Sequence, residues 1–194
     1  MQYRTDPDRR IWIYYQNVRG VRTKIDELFL ASTDCNFDVV ILTETGLDDC
    51  ITSAQLFGMA FNVFRCDRSA TNSRKTRFGG VLIAVAQQYS CHLVATVNGR
   101  NLEQVCVFAT IKNQNLLLCA IYIPPDRSQD SSTINEHIAS VHELCGTRSS
   151  DDTIFVCGDY NQPRMHWTEN DNGIVRGNSH LPPASHTLLD GWIF

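Results

Sequence analysis

No run in this sequence approaches the roughly 20 apolar residues needed to cross a bilayer, which argues against a helical membrane protein. No secretory leader is recognisable, because the opening MQYRTDPDRR is polar and charged. No two of the eight cysteines stand in a CxxC pair, which excludes a zinc ribbon and a thioredoxin-type motif. There is no GxGxxG, so a dinucleotide-binding βαβ unit is disfavoured. Charge of one sign is also lacking. Seventeen Lys and Arg stand against 21 Asp and Glu, a net charge of −4, with a pI of about 5.8. An overall basic coat for nucleic acid is therefore absent, although metals or a local basic loop can still screen an acidic protein from DNA.

What is present fits one ordinary domain. The chain has 194 residues, 43% hydrophobic and 20% charged, with 11 Gly and 6 Pro, so it is long enough to bury a core without disulfide staples. Cys106, Cys119 and Cys157 lie inside apolar runs and read as small hydrophobes. Free thiols in a reducing, intracellular compartment are the expected state.

Strand-like runs dominate. Ile11–Asn17, Phe37–Thr43, Phe61–Cys66, Val81–Val85, Leu102–Ile111, Leu116–Ile123 and Thr153–Cys157 are apolar and rich in β-branched residues. Asn113-Gln114-Asn115 fits a tight connection between two of them. Thr23 and Asp26 suggest a cap for a short helix ending before Cys35. A second helix is expected after a capping box at Thr133 and Glu136, with Ile134, Ile138, Val141 and Cys145 on one face and Gly146 at the stop. Residues 162–185 read mostly as loop, and a helical start is expected at His186–Leu189. Clustered strands with few helices predict a mixed or mainly antiparallel sheet system with outer helices.

Four apolar runs each end on a polar group: Asn17, Glu44, Tyr122, and Asp159 with Asn161. Singly, these read equally well as turn, loop or core residues. Together they would build one polar pocket if the strand ends converge.

In that order, YYQNVRG, ILTET, IYIPP and VCGDYNQP resemble the endonuclease/exonuclease/phosphatase family, and most of all the apurinic-type endonuclease of non-LTR retrotransposons of the insect kind. FGGVLIAV, MHW and SHTLLD fit the same pattern, so the resemblance spans about residues 11–194, after a polar segment at 1–10. It implies an α/β fold, a four-layered sandwich of two mainly antiparallel sheets flanked by helices. It implies that Glu44 binds a divalent metal, Mg²⁺ or Mn²⁺, with Asn17 helping. Asp159 would orient or deprotonate the attacking water, Asn161 would hold the phosphate or the neighbouring carboxylate, and Tyr122 would hydrogen-bond a phosphate oxygen. The reaction implied is hydrolysis of one phosphodiester, nicking target DNA, in a domain that the family fuses to a reverse transcriptase and that works on nuclear DNA.

Two departures stand out. Gly46 follows Glu44-Thr45 where the retrotransposon pattern usually has an aromatic residue. The sequence also contains no Asp-His dipeptide, whereas the family pattern closes on Ser-Asp-His. The expectation is therefore a domain incomplete at its C-terminus, impaired or inactive. A phosphatase or phosphodiesterase acting on a small molecule or lipid, and a non-catalytic remnant, are the alternatives. Arg65, Arg68, Arg74, Lys75 and Arg77 crowd around a single acid, Asp67. They read either as a solvated loop or as a loop that tracks DNA phosphates, with Arg74, Lys75 and Arg77 as the candidate contacts.

Overall fold

The computed structural model describes residues 9–34, 36–68, 79–99, 101–163, 167–169 and 175–177. The chain divides into two compact units: Met1–Tyr122 with Ser149–Asp159, and Ile123–Arg148 with Tyr160–Phe194.

The first unit is an α/β sandwich of two four-stranded sheets. One contains β1 (Ile13–Asn17), β2 (Val39–Thr43), β3 (Phe61–Cys66) and β4 (Val81–Ala86), in the order β1-β2-β4-β3. The other contains β5 (Ser90–Asn98), β6 (Glu103–Ile111), β7 (Gln114–Tyr122) and β8 (Thr153–Asp159), in the order β5-β6-β7-β8. Two of the pairings, β1 with β2 and β7 with β8, are parallel, and the remaining four are antiparallel.

Alternation along the strands explains the layering. Val39, Ile41, Val81, Ile83 and Val85 of the first sheet meet Val105, Val107, Leu116, Leu118 and Ala120 of the second in one buried core. The opposite side of the first sheet, Val40, Leu42, Leu82 and Ala84, is covered by helices α1 (Ile25–Asp34) and α2 (Ser53–Phe57) through Ile25, Leu28, Leu56 and Phe57. Because β2 and β4 are buried on both faces, they read as unbroken apolar runs.

The second unit contains α3 (Ser131–Gly146), which buries Ile134, His137, Ile138 and Val141. It also contains a short antiparallel pair, β9 (Trp167–Glu169) and β10 (Val175–Gly177). His137 is fully buried, with Nε2 2.9 Å from the Tyr160 hydroxyl. No helix among the described residues is long and apolar enough to cross a membrane.

Several local expectations shift. The β6–β7 turn is Lys112-Asn113, both at positive φ, one residue earlier than the Asn-Gln-Asn stretch suggested. Two left-handed residues match the strand twist of a two-residue hairpin. α3 is capped by Asp130, whose carboxylate accepts from Ser132 N, so Thr133 lies inside the helix and is buried. Lys24 precedes the first residue of α1, so Thr23 is not its immediate flank. β8 is a half-buried edge strand and not an interior one. Four elements were not expected. α2 carries a full capping box between Thr52 and Gln55. β5 is an exposed edge strand broken by a bulge between Leu93 and Ala95, which masks its period of two. The β9–β10 pair sits where a loop was expected. The expected helical start at His186–Leu189 lies outside the described residues.

Burial of neutral His137 pushes its pKa down to about 3 from the ordinary 6.5. The unfolded chain takes up that proton below about pH 6.5 and the folded chain only near pH 3. Stability is therefore lost as pH falls through that window, by up to about 1.4 kcal/mol per pH unit. Urea midpoints of the wild type from pH 7 to 4.5 should fall more steeply than those of His137→Gln, and parallel slopes would contradict this origin.

Candidate active site

Parallel pairing delivers two strand ends to the same edge of each sheet. Asn17 pairs with Thr43, which places the end of β1 beside Glu44. Tyr122 pairs with Asp159 at the ends of β7 and β8. A single hydrogen bond joins the two edges: Asn17 Nδ2 donates to Asp159 Oδ2 at 2.6 Å. Asn17 Oδ1 in turn accepts from Arg19 N at 3.1 Å. The Asn17 amide is thus held from both ends, and it fixes the Asp159 carboxylate. Asn17, Glu44, Tyr122 and Asp159 converge.

Glu44 sits in a turn clamped on both sides. Gly20 N donates to Glu44 O at 2.7 Å, Val21 N to Thr45 O at 2.8 Å, and Gly46 N to Gly79 O at 2.8 Å. The clamp holds Glu44 at φ +54°, a left-handed conformation that costs a residue bearing a Cβ about 1–2 kcal/mol. Such strain survives only where the surroundings impose it. The half-buried Glu44 carboxylate is thereby presented at the strand ends.

Tyr122 is 4% exposed. Burial pushes its phenol pKa up, and the nearby Glu44, Glu103 and Asp159 carboxylates add to the rise. It stays a neutral hydroxyl, able to donate a hydrogen bond, throughout the physiological range. Gly158 makes room for this arrangement. It stands at φ +154°, opposite Ile121, and a Cβ there would meet Ile121 O at 2.0 Å. The glycine before Asp159 is therefore a requirement of strand approach.

Asn161 follows two residues after Asp159 in the second unit, at φ +48°, and its Nδ2 donates to Ile123 O at 2.8 Å. Arg74, Lys75 and Arg77 lie outside the described residues. The other two cations of that basic stretch are spoken for. Arg65 is bound to the Asp67 carboxylate and to Ile51 O and Asp48 O. The Arg68 side chain, 7% exposed, pairs with the buried Glu103. Both are built into the fold and are not free to track phosphates.

No protein family and no curated protein matches this sequence. Solved structures do. The chain is similar to Danio rerio TDP2 complexed with single-strand DNA product at 15% identity and TM-score 0.55, covering 78% of this chain and 60% of that one. It is similar to an AP endonuclease from Archaeoglobus fulgidus at 16% identity and TM-score 0.55, covering 81% and 61%. It is similar to the human Nocturnin catalytic domain with bound sulfate at 11% identity and TM-score 0.57, covering 89% and 76%. This chain shares the fold of these proteins, an α/β sandwich. It spans 50–66% of the length of the TDP2 structures it matches. At these identities the likeness concerns the fold, and the activity has to be argued from the site.

The donors at the strand ends are carboxylate, amide and phenol oxygens, the chemistry that a hard divalent cation takes. Among the described residues, no three His, Cys, Asp or Glu side chains come together as a metal cluster. Two carboxylates at one edge nonetheless suit Mg²⁺, which keeps several waters and usually takes one or two protein carboxylates alongside a substrate phosphate.

Three residues of this region escaped the list of candidates. Tyr15, 39% exposed, lies two residues before Asn17 and so on the same face of β1. Its hydroxyl is 3.4 Å from Thr43 Oγ1. Burial raises its pKa, as do Asp159, Cys157 and Glu44. The period of two from Asn17 could have found it. Glu103 begins β6 directly opposite Tyr122, but its sequence neighbourhood gives no sign that it is buried. Arg68 looked like one more loop cation.

The strain at Glu44 yields a clean comparison. Glu44→Ala and Glu44→Gly both delete the carboxylate, and only glycine relieves the left-handed φ. In urea titrations Glu44→Gly should be more stable than Glu44→Ala by about 1 kcal/mol. Equal stabilities would show that the turn relaxes without cost.

Proposed function

We propose that this chain is the DNA-nicking domain of a non-LTR retrotransposon, which hydrolyses one phosphodiester bond with the help of a divalent metal. The observation that carries the reading is the convergence of Asn17, Glu44, Tyr122 and Asp159, each the polar end of a motif, on one edge of the sandwich. Glu44, assisted by Asn17, would hold Mg²⁺ or Mn²⁺, and the metal when bound would stabilise the charge developing on the phosphate oxygens. The Tyr122 hydroxyl, neutral because it is buried, donates to a phosphate oxygen. The Asn17 amide fixes Asp159, and the Asp159 carboxylate orients the attacking water for in-line displacement. Asn161 would hold the phosphate or the neighbouring carboxylate. Positioning and electrostatic stabilisation supply most of the catalysis in such a design. DNA as partner, Arg74, Lys75 and Arg77 as phosphate contacts, fusion to a reverse transcriptase and a nuclear place of action all belong to this reading.

The deciding experiment incubates the folded chain with supercoiled plasmid and Mg²⁺, beside Glu44→Ala and Asp159→Asn. Nicking that drops by about a hundredfold or more in each variant is expected. A folded wild type that nicks nothing would favour a non-catalytic remnant, and turnover of inositol phosphates in place of plasmid would favour a small-molecule phosphoesterase. The basic stretch has its own test. Arg74→Glu/Lys75→Glu should weaken DNA binding and flatten the dependence of log K on log salt by about 1–2. An unchanged slope removes those contacts.

A further inference from the structure

Arg68 is an unexpected neighbour for the candidate site. Its guanidinium carbon stands 5.4 Å from the centroid of the Tyr122 ring. Its Nε is bound to Glu103 Oε1, and with side chains 7% and 1% exposed the pair is buried. Glu103 Oε2 accepts from Gly80 N at 2.7 Å. Gly80 O accepts from Thr45 N at 3.3 Å, and Thr45 is the residue after Glu44. One continuous chain of contacts therefore runs from the Glu44 turn through Gly80, Glu103 and Arg68 to the face of Tyr122. Glu103 and Tyr122 are also directly opposite each other across β6 and β7.

The fold makes a cradle for the guanidinium. Gly79 stands at φ +96°, and a Cβ there would lie 2.3 Å from Arg68 Cζ. Gly79 is thus needed twice, for its left-handed backbone and for the space that Arg68 fills. A buried ion pair is weak evidence for stability, because desolvation offsets most of its attraction. Apolar residues of similar volume would serve the core as well, which leaves the planar cation over a tyrosine to be explained.

We propose that Arg68, locked by Glu103, is a positioning residue for Tyr122: its planar guanidinium holds the ring so that the hydroxyl points to one place at the strand ends, and it ties that place to the Glu44 turn. The inference rests on the reading of Tyr122 as a phosphate-binding hydroxyl. The electrostatics agree. Glu103 is pushed up by burial, with Arg68 and Gly80 N pulling it back toward its charged form. Arg68 likewise acts on Tyr122 against the three surrounding carboxylates. Lysine would keep the charge and lose the planar face.

The test combines a mutant cycle with a spectroscopic readout. Arg68→Met/Glu103→Gln removes the guanidinium without stranding a buried charge, and Tyr122→Phe removes the hydroxyl. In plasmid nicking, Arg68→Met/Glu103→Gln should lower kcat about ten- to a hundredfold, with KM held within about twofold. Adding Tyr122→Phe should cost no more than about twofold further, since the two act as a unit. Arg68→Lys should keep a urea midpoint near that of the wild type without restoring kcat. Additive losses, or full rescue by lysine, overturn the proposal. The second readout needs no catalysis. In the fluorotyrosine-labelled chain, with the Tyr122 ¹⁹F resonance assigned by its loss in Tyr122→Phe, Arg68→Met/Glu103→Gln should shift or broaden that resonance. Arg68→Lys gives the same comparison should the double variant not fold. An unchanged resonance overturns the proposal. A folded wild type that does not nick ends the functional reading, and the ¹⁹F spectra then decide on Arg68 alone.

Discussion

The hydrogen bond from Asn17 Nδ2 to Asp159 Oδ2 joins the ends of two edge strands that belong to different sheets and lie 142 positions apart in the chain. Everything at the candidate site depends on that junction. It is possible only because β1 runs parallel to β2 and β8 runs parallel to β7, within sheets whose remaining pairings are antiparallel. An antiparallel neighbour would have returned its polar end to the opposite edge. Parallel pairing requires a long crossover. α1 belongs to the first crossover, and the stretch holding α3 forms the second. The helices therefore do topological work: they carry the chain back so that Asn17 and Glu44, and then Tyr122 and Asp159, emerge side by side.

The same edge concentrates several conformational and desolvation costs. Glu44 is held at a positive φ, Gly158 allows a close approach to Ile121, and Tyr122, Glu103 and Arg68 place polar atoms in a nearly dry setting. Between the two sheets the core of the first unit is mainly aliphatic, the sheets meeting through valine, isoleucine and leucine. The opposite end of the sandwich has a polar network too, in which Asp38 accepts from Trp12 N, Tyr89 and Lys112. That network is self-satisfied and ties β1, β2 and the β6–β7 turn together. The contrast between the two ends separates a closed structural network from polar groups gathered at the strand ends.

A shared fold does not by itself choose a substrate. The choice here comes from which groups stand at the strand ends and how they are held. Oxygen donors at one edge, a phenol kept neutral by burial and an amide that fixes a carboxylate form a set suited to a phosphodiester and a hard cation.

Much of this was legible without coordinates. Strands buried on both faces announce themselves as unbroken apolar runs, so β2, β4 and β7 were readable, and the polar residues at the ends of β2 and β7 marked Glu44 and Tyr122 as candidates. The Thr52–Gln55 capping box was also written in the sequence, but a helix of five residues offers no period to support it. β5 was hidden because an edge strand with a bulge loses its alternation. The sequence by itself determined the strand cores, the strand-end candidates and the glycines, since burial and backbone geometry act locally on residue type. Only the tertiary structure decided that Arg68 and Arg65 are structural cations, that Glu103 is buried and that Asn17 holds Asp159. Each of those depends on which distant strand lies alongside, and no local pattern of residues encodes a partner that far away.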